Sequence, residues 1–184
     1  NHLEAGATDI RVELVEGGKK QIKVHDNGSG MSREDAALAF RRHSTSKISG
    51  EEDLERISTL GFRGEALPSI AAVSRLRITT RLRGEGEGTR IDIDGGRIVR
   101  IAPSGCPEGT DIEVRDLFLT VPARLKFLRS DATELGHCVG VVSRLALAHP
   151  RLGFALRHGD RELLNLEPAP DFGARLRDHL GREF

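Results

Sequence analysis

Three glycine-bearing segments carry residue types that could grip a nucleotide, and each is ordinary when taken alone. The first is Asp26-Asn27-Gly28-Ser29-Gly30-Met31. An Asp at a strand end can accept a hydrogen bond from an exocyclic amine, and a buried acceptor rejects bases that lack that donor. Gly28 and Gly30 would let the backbone approach a planar ring closely. By itself, D-N-G is also a common turn. The second segment is Gly61-Phe62-Arg63-Gly64-Glu65-Ala66-Leu67, a loop feeding a helix N-terminus. Free N–H groups and the helix dipole make such a place an anion site. No G-K-[ST] follows, so this is not a Walker A loop, and a loop with a capped helix is the plain alternative. The third is Gly109-Thr110-Asp111 at the start of a strand. The Thr110 hydroxyl could share a purine edge with Asp26, directly or through water. A strand-start Thr without a ligand is the alternative there.

The surrounding pattern supplies the elements that must position these groups. Ile10, Val12 and Leu14 alternate with polar residues, as do Ile22 and Val24, which predicts a hairpin turning tightly at Gly17-Gly18. Ser32, with Asp35 in the capping-box position, starts a helix expected to reach Arg42. Residues 43–50 read as loop, 51–57 as a short helix, and 65–74 as a helix that tolerates Pro68 in its first turn. From Arg75 the pattern turns to strands at 76–78, 91–93, 98–101 and 112–114, and an antiparallel meander fits. Leu135, Cys138, Val142 and Leu145 at helical spacing predict a helix over 131–149, and 154–156 with 163–166 predict a hairpin. Pro168-Ala169-Pro170 is the linker candidate. The expected organisation is one domain over 1–167, then a linker and the start of a second α/β domain over 168–184.

Composition narrows the classes. The 184 residues hold 28 Lys+Arg against 28 Asp+Glu, with 38% hydrophobic residues, the balance of an ordinary globular protein. No apolar run approaches the ~20 residues of a membrane span. Cys106 and Cys138 lie far apart, which supports neither a zinc site nor a disulfide framework. With no Trp or Tyr, stacking platforms for single strands are not expected. The seven His residues lack metal-ligand spacing. Arg75, Arg77, Arg81, Arg83, Arg90, Arg97 and Arg100 alternate with acids, which reads as a solvated sheet face. The competing reading is a DNA-facing groove aided by Arg124, Lys126 and Arg129, contacting phosphates without sequence readout. The opening Asn1-His2-Leu3-Glu4-Ala5-Gly6 looks like the last turns of a helix with Gly6 as its C-cap.

Taken in order, N-x-x-x-A-G, D-N-G-x-G, G-F-R-G-E-A-L and G-T resemble the ATP-binding domain shared by DNA gyrase B, heat-shock chaperone relatives, histidine kinases and MutL. Gly61 to Leu67 followed by Pro68-Ser69-Ile70, Arg42 to Ile48, and Asp116 to Leu128 are similar to the MutL family of bacterial-type DNA mismatch repair proteins. The resemblance spans essentially the whole chain. The family usually carries Asn where Thr120 stands and Asp where Glu4 stands, which weakens the case for a structural role of Thr120.

The resemblance implies an α+β two-layer sandwich of the Bergerat type, with a mixed, mostly antiparallel sheet and helices on one face. It implies ATP and Mg²⁺ as cofactors, with Asn1 as the metal ligand. Asp26, Gly28, Gly30 and Thr110 would hold adenine. Thr45, Ser46 and Lys47 would order over the nucleotide, and Gly61, Phe62, Arg63, Gly64, Glu65, Ala66 and Leu67 would cradle the triphosphate. The general base is a Glu one helical turn before the metal-binding Asn, a position ahead of Asn1. Glu4, Glu34 and Glu65 do not take that role, and this stretch alone is expected to turn ATP over hardly at all. The implied function is an ATPase switch in mismatch repair, dimerising with ATP, touching DNA nonspecifically and meeting a mismatch-recognition protein in the bacterial cytoplasm near the nucleoid. Another superfamily ATPase, such as a topoisomerase subunit, and a non-catalytic DNA-binding scaffold remain the alternatives.

Overall fold

Alternating apolar and polar residues build eight strands that join in one sheet. They are β1 (Asp9–Val15), β2 (Gln21–Asp26), β3 (Arg75–Arg81), β4 (Gly88–Asp94), β5 (Arg97–Ser104), β6 (Gly109–Arg115), β7 (Gly153–His158) and β8 (Arg161–Leu166). The helices are α1 (Arg33–Leu38), α2 (Ala66–Ala72), α3 (Pro122–Leu125), α4 (Asp131–Ala148) and α5 (Phe172–Leu180). The computed structural model describes residues 5–40 and 65–180. Strand order is β5-β4-β3-β6-β2-β1-β7-β8, antiparallel except for the parallel pair β1–β7.

Register assigns each residue to a face. On one face, Ile101, Ile91, Ile78, Ile112, Val24, Val12, Leu156 and Leu164 form a continuous apolar row across all eight strands. A parallel row runs through Ile93, Leu76, Val114, Ile22 and Leu14. Helix α4 packs Val142 and Ala146 on the β1–β7–β8 half, while Ala36 of α1 and Ala71 of α2 cover the β3–β4–β6 half. One face therefore carries the helices, giving the α+β two-layer sandwich with a mostly antiparallel mixed sheet. Ser32 and Ser130 cap α1 and α4, each accepting an N–H from the residue three positions on.

The opposite face is polar, and its middle row alternates in sign from one strand to the next. In strand order it reads Arg100, Asp92, Arg77, Glu113, Lys23, Glu13, Arg157 and Glu162. Ion pairs follow, with Arg77 to Asp92 at 2.7 Å, Arg115 to Glu113 at 2.7 Å and Lys23 to Asp111 at 3.2 Å. Burial would push the Asp92 carboxyl up, but hydrogen bonds from Arg77 and Arg90 outweigh that and hold it below the usual carboxylate range. Of the arginine-rich stretch, Arg75, Arg77, Arg83 and Arg90 are thus paired with acids, whereas Arg81, Arg97 and Arg100 enter no ion pair among the described residues.

Three expectations change. The meander holds for β3–β4–β5 only, because β6 returns beside β3 in the Greek-key order 6-3-4-5. The expected tight turn at Gly17-Gly18 is a 3-10 turn over Glu16–Gly18, and the strands end at Val15 and Gln21. Tertiary contact sets it: a Cβ on Gly17 would lie 2.5 Å from the backbone oxygen of Asp131 at the start of α4. Helix α1 ends at Leu38 within the described residues, short of the expected Arg42. Gly6 has a left-handed backbone, with φ +66°, and the helix expected to end there lies outside the described residues. Helix α5 lies against α4 and β8. Its buried Arg175 donates to the carbonyls of Pro150, at 2.6 Å, and Leu152.

Candidate nucleotide site

At one end of the helix-covered face the apolar pattern breaks. The row beyond Ile91, Ile78, Ile112 and Val24 reads Thr89, Thr80, Thr110 and Asp26, and returns to apolar at Ile10. All four polar residues are buried, Asp26 and Thr80 almost completely. A buried polar row costs stability unless its groups are hydrogen-bonded. Asp26 Oδ1 accepts the Gly28 N–H at 2.7 Å, and Thr80 and Thr110 lie within 3.1 Å through their hydroxyls.

The loop leaving Asp26 is held on both sides. Asn27 Oδ1 accepts the N–H groups of Thr8 and Asp9, and its amide donates to the Thr8 hydroxyl. The Ser29 N–H donates to Ala5 O, the Arg83 N–H to Ser29 O, and the Met31 N–H to Thr80 Oγ1. Gly30 sits at φ +68°, where a Cβ would lie 1.9 Å from Arg81 O. Gly28 is similarly hemmed in by Ala5, at 2.8 Å. The glycines that sequence suggested for approach to a ring are required by the protein's own backbone.

Of the expected adenine-side residues, the structure brings together Asp26, Gly28, Gly30 and Thr110, with Asp26 directly opposite Thr110 across β2–β6. Glu65 is the N-cap of α2, and its side chain makes no capping hydrogen bond to that helix. Glu65 and Ala66 are exposed, whereas Leu67 packs into the core with Leu76 and Ile78. Asn1, Thr45, Ser46, Lys47, Gly61, Phe62, Arg63 and Gly64 lie outside the described residues, as do the loop over 43–50 and the helix over 51–57. Among the described residues no cluster of His, Cys, Asp and Glu could hold a metal ion. A concavity of the outer face, lined by Arg75, Arg77, Arg90, Arg100 and Glu113, is occupied by the paired charges described above and is remote from Asp26 in the sheet pattern.

Sequence reasoning passed over Thr80. The signal was present, since Thr80 continues the inward parity of Leu76 and Ile78 and so had to be buried. It also passed over a role for Thr120, whose hydroxyl donates to Ala72 O at the end of α2, 3.0 Å away. That contact gives Thr120 the structural function doubted for it.

The family model for histidine kinase-, DNA gyrase B- and HSP90-like ATPases matches residues 1–98. The chain belongs to that family. Within it the ATPase region is of the MutL kind. The DNA mismatch repair protein MutL of Acidobacterium capsulatum is 51% identical over 183 residues, covering 100% of this chain and 28% of that protein. MutL of Trichlorobacter lovleyi is 54% identical over 168 residues, 91% of this chain and 28% of that protein. The Aquifex aeolicus MutL ATPase domain complexed with ADP matches with a TM-score of 0.77 at 33% identity, over 98% of this chain and 64% of that chain. The N-terminal domain of a DNA repair protein shares the fold, with a TM-score of 0.81 at 22% identity. The chain spans less than a third of the length of these MutL proteins. Among the described residues no helix is long and apolar enough to cross a membrane.

Proposed function

We propose that this chain supplies the adenine-reading half of a Mg²⁺-dependent ATP site, and that the whole protein is an ATP-driven switch in DNA mismatch repair. The observation that carries the reading is the buried Asp26 carboxylate beside Thr110, in an otherwise apolar sheet face and at the mouth of the G-x-G loop. A fixed, desolvated acceptor there selects a base that offers an amino hydrogen. These acceptors fit the 6-amino group of adenine. Asn1, through its carbonyl oxygen, would join Mg²⁺ to phosphate oxygens. When bound, that ion neutralises charge on the phosphates. Thr45, Ser46 and Lys47 would close over the nucleotide, and Gly61 to Leu67 would present backbone N–H groups to the phosphates. We assign the general base to no Glu of this chain.

ATP-driven ordering of those loops would create a surface on which two copies dimerise, and hydrolysis would release it. DNA contact would be to phosphates. Arg75, Arg77 and Arg90 of the outer sheet face are paired with acids, whereas Arg124, Lys126 and Arg129 are exposed and none enters an ion pair among the described residues. A mismatch-recognition protein is the expected partner, in the bacterial cytoplasm at the nucleoid. We place a linker and the start of a second domain at 168–184, with Arg175 fastening the first helix of that segment to the ATP-binding unit.

The test is ATP binding by the full-length protein with Asp26→Asn. Asn keeps an oxygen for the Gly28 N–H but turns an amide donor toward the base, so ATP affinity should fall at least tenfold. Unchanged affinity would refute the assignment.

A further inference from the structure

The Thr80 hydroxyl meets three polar groups at once. The Met31 N–H lies 2.9 Å away, Gly109 O at 3.0 Å and Thr110 Oγ1 at 3.1 Å. An amide N–H can only donate, a carbonyl can only accept, and a threonine hydroxyl has one proton and two lone pairs. One arrangement alone satisfies all three contacts. Thr80 gives its proton to Gly109 O, accepts from Met31 N–H, and accepts the Thr110 proton on its second lone pair. Any other arrangement sets the Thr80 oxygen lone pair against the Gly109 carbonyl. Because Thr80 is fully buried, water cannot substitute for a missing partner.

We infer that Thr80 is a positioning residue of the nucleotide site, which turns the Thr110 hydroxyl proton into the sheet so that Thr110, like Asp26, faces the base only as an acceptor. The inference rests on the adenine reading proposed above. The same hydroxyl ties the start of β6 to the G-x-G loop, since Gly109 and Met31 share it. Base selection then depends on a residue that does not itself line the site. A pocket edge made only of acceptors favours a 6-amino group and opposes a 6-oxo group at the same position. A Thr110 proton free to turn outward would weaken that opposition by supplying a donor.

The experiment compares ATP with inosine triphosphate, which carries a 6-oxo group, by equilibrium binding to the full-length protein. Thr80→Val keeps the shape and removes the hydroxyl, so Thr110 can turn outward. The ATP-to-inosine-triphosphate affinity ratio is expected to fall roughly three- to tenfold, the range of one neutral hydrogen bond. Thr80→Ser restores the hydroxyl and should restore the ratio. In a Thr110→Val background, Thr80→Val should leave the ratio unmoved, which a merely structural role would not produce. Should Thr80→Val fail to fold, Thr80→Cys, whose thiol hydrogen-bonds weakly, should shift the ratio in the same direction. A wild-type ratio in the folded Thr80 variant, or a shift that persists in the Thr110→Val background, overturns the inference. Unchanged ATP affinity in Asp26→Asn refutes the adenine reading instead, so the two failures are distinct.

Discussion

Gly30→Ala separates backbone conformation from close packing, because the protein supplies its own control. Gly30 and Gly159 both hold positive φ, at +68° and +57°. An Ala at Gly159, in the β7–β8 turn, would meet nothing within 4 Å, so its cost is the left-handed conformation alone, about 1 kcal/mol. At Gly30 the Cβ would lie 1.9 Å from Arg81 O and 2.5 Å from Arg81 C. Those are backbone atoms of β3, which cannot swing aside as a side chain can. The loop would have to retreat by more than an ångström, giving up the hydrogen bonds from Met31 to Thr80 and from Arg83 to Ser29. At about 1 kcal/mol for each bond, added to the shared conformational cost, Gly30→Ala should destabilise by ~3 kcal/mol. Urea denaturation at equilibrium measures both variants, with a shift in midpoint and an unchanged slope as the sign of a clean comparison. ATP affinity should fall with Gly30→Ala and not with Gly159→Ala. Equal costs for the two variants would show that the loop does not need its tight fit against β3.

Other expectations follow from single contacts. The Asp92 carboxyl is held below its ordinary value of about 3.9 against the raising effect of burial, by hydrogen bonds from Arg77 and Arg90. Its stabilisation is therefore complete above the unfolded value and lost as pH falls through the folded one. The stability difference between wild type and Asp92→Asn should be constant from pH 7 to about 5 and close at lower pH, and a constant gap down to pH 2 would count against the pairing. Thr120→Val should cost about 1 kcal/mol in urea denaturation through loss of the hydrogen bond to Ala72, and Thr120→Ser should recover most of it. Burial raises the thiols of Cys106 and Cys138, so both should alkylate slowly at pH 7.5 until urea unfolds the protein. Labelling of either at the rate of a free thiol would contradict that burial.

Much of the fold could be read from the chain because alternation reports which face a residue occupies. Ile10, Leu76 and Ile112 had to point to the core whatever their neighbours were. Alternation does not report which strand lies alongside which. The return of β6 to β3 depends on residues 105–108 carrying the chain past the ends of β4 and β3, a path invisible to periodicity. The parallel pairing of β1 with β7 depends likewise on where α4 returns the chain. At the proposed site, the glycine-bearing motifs singled out Asp26 and Thr110, but not the reason for the glycines. Gly30 faces Arg81 more than fifty residues away in sequence, and no local pattern can announce such a contact.

The two faces of the sheet also explain why the polar row deserves a functional reading. Each strand contributes one charge to an outer row of alternating sign, so a shift of one residue in any strand would bury charges and expose the apolar row. Register is thus defended from both sides. Under that constraint, four adjacent inward positions on four strands hold Thr89, Thr80, Thr110 and Asp26, where Ile or Val would fit the pattern and avoid the cost of burying polar groups. Packing alone gives no reason for them. They lie where β2 enters the G-x-G loop and where Thr80 reaches Met31, so the departure from the apolar pattern coincides with a loop tied to both neighbours by its backbone. A local rule broken at buried positions, and compensated there by hydrogen bonds, is what the proposed nucleotide site would require of these strands.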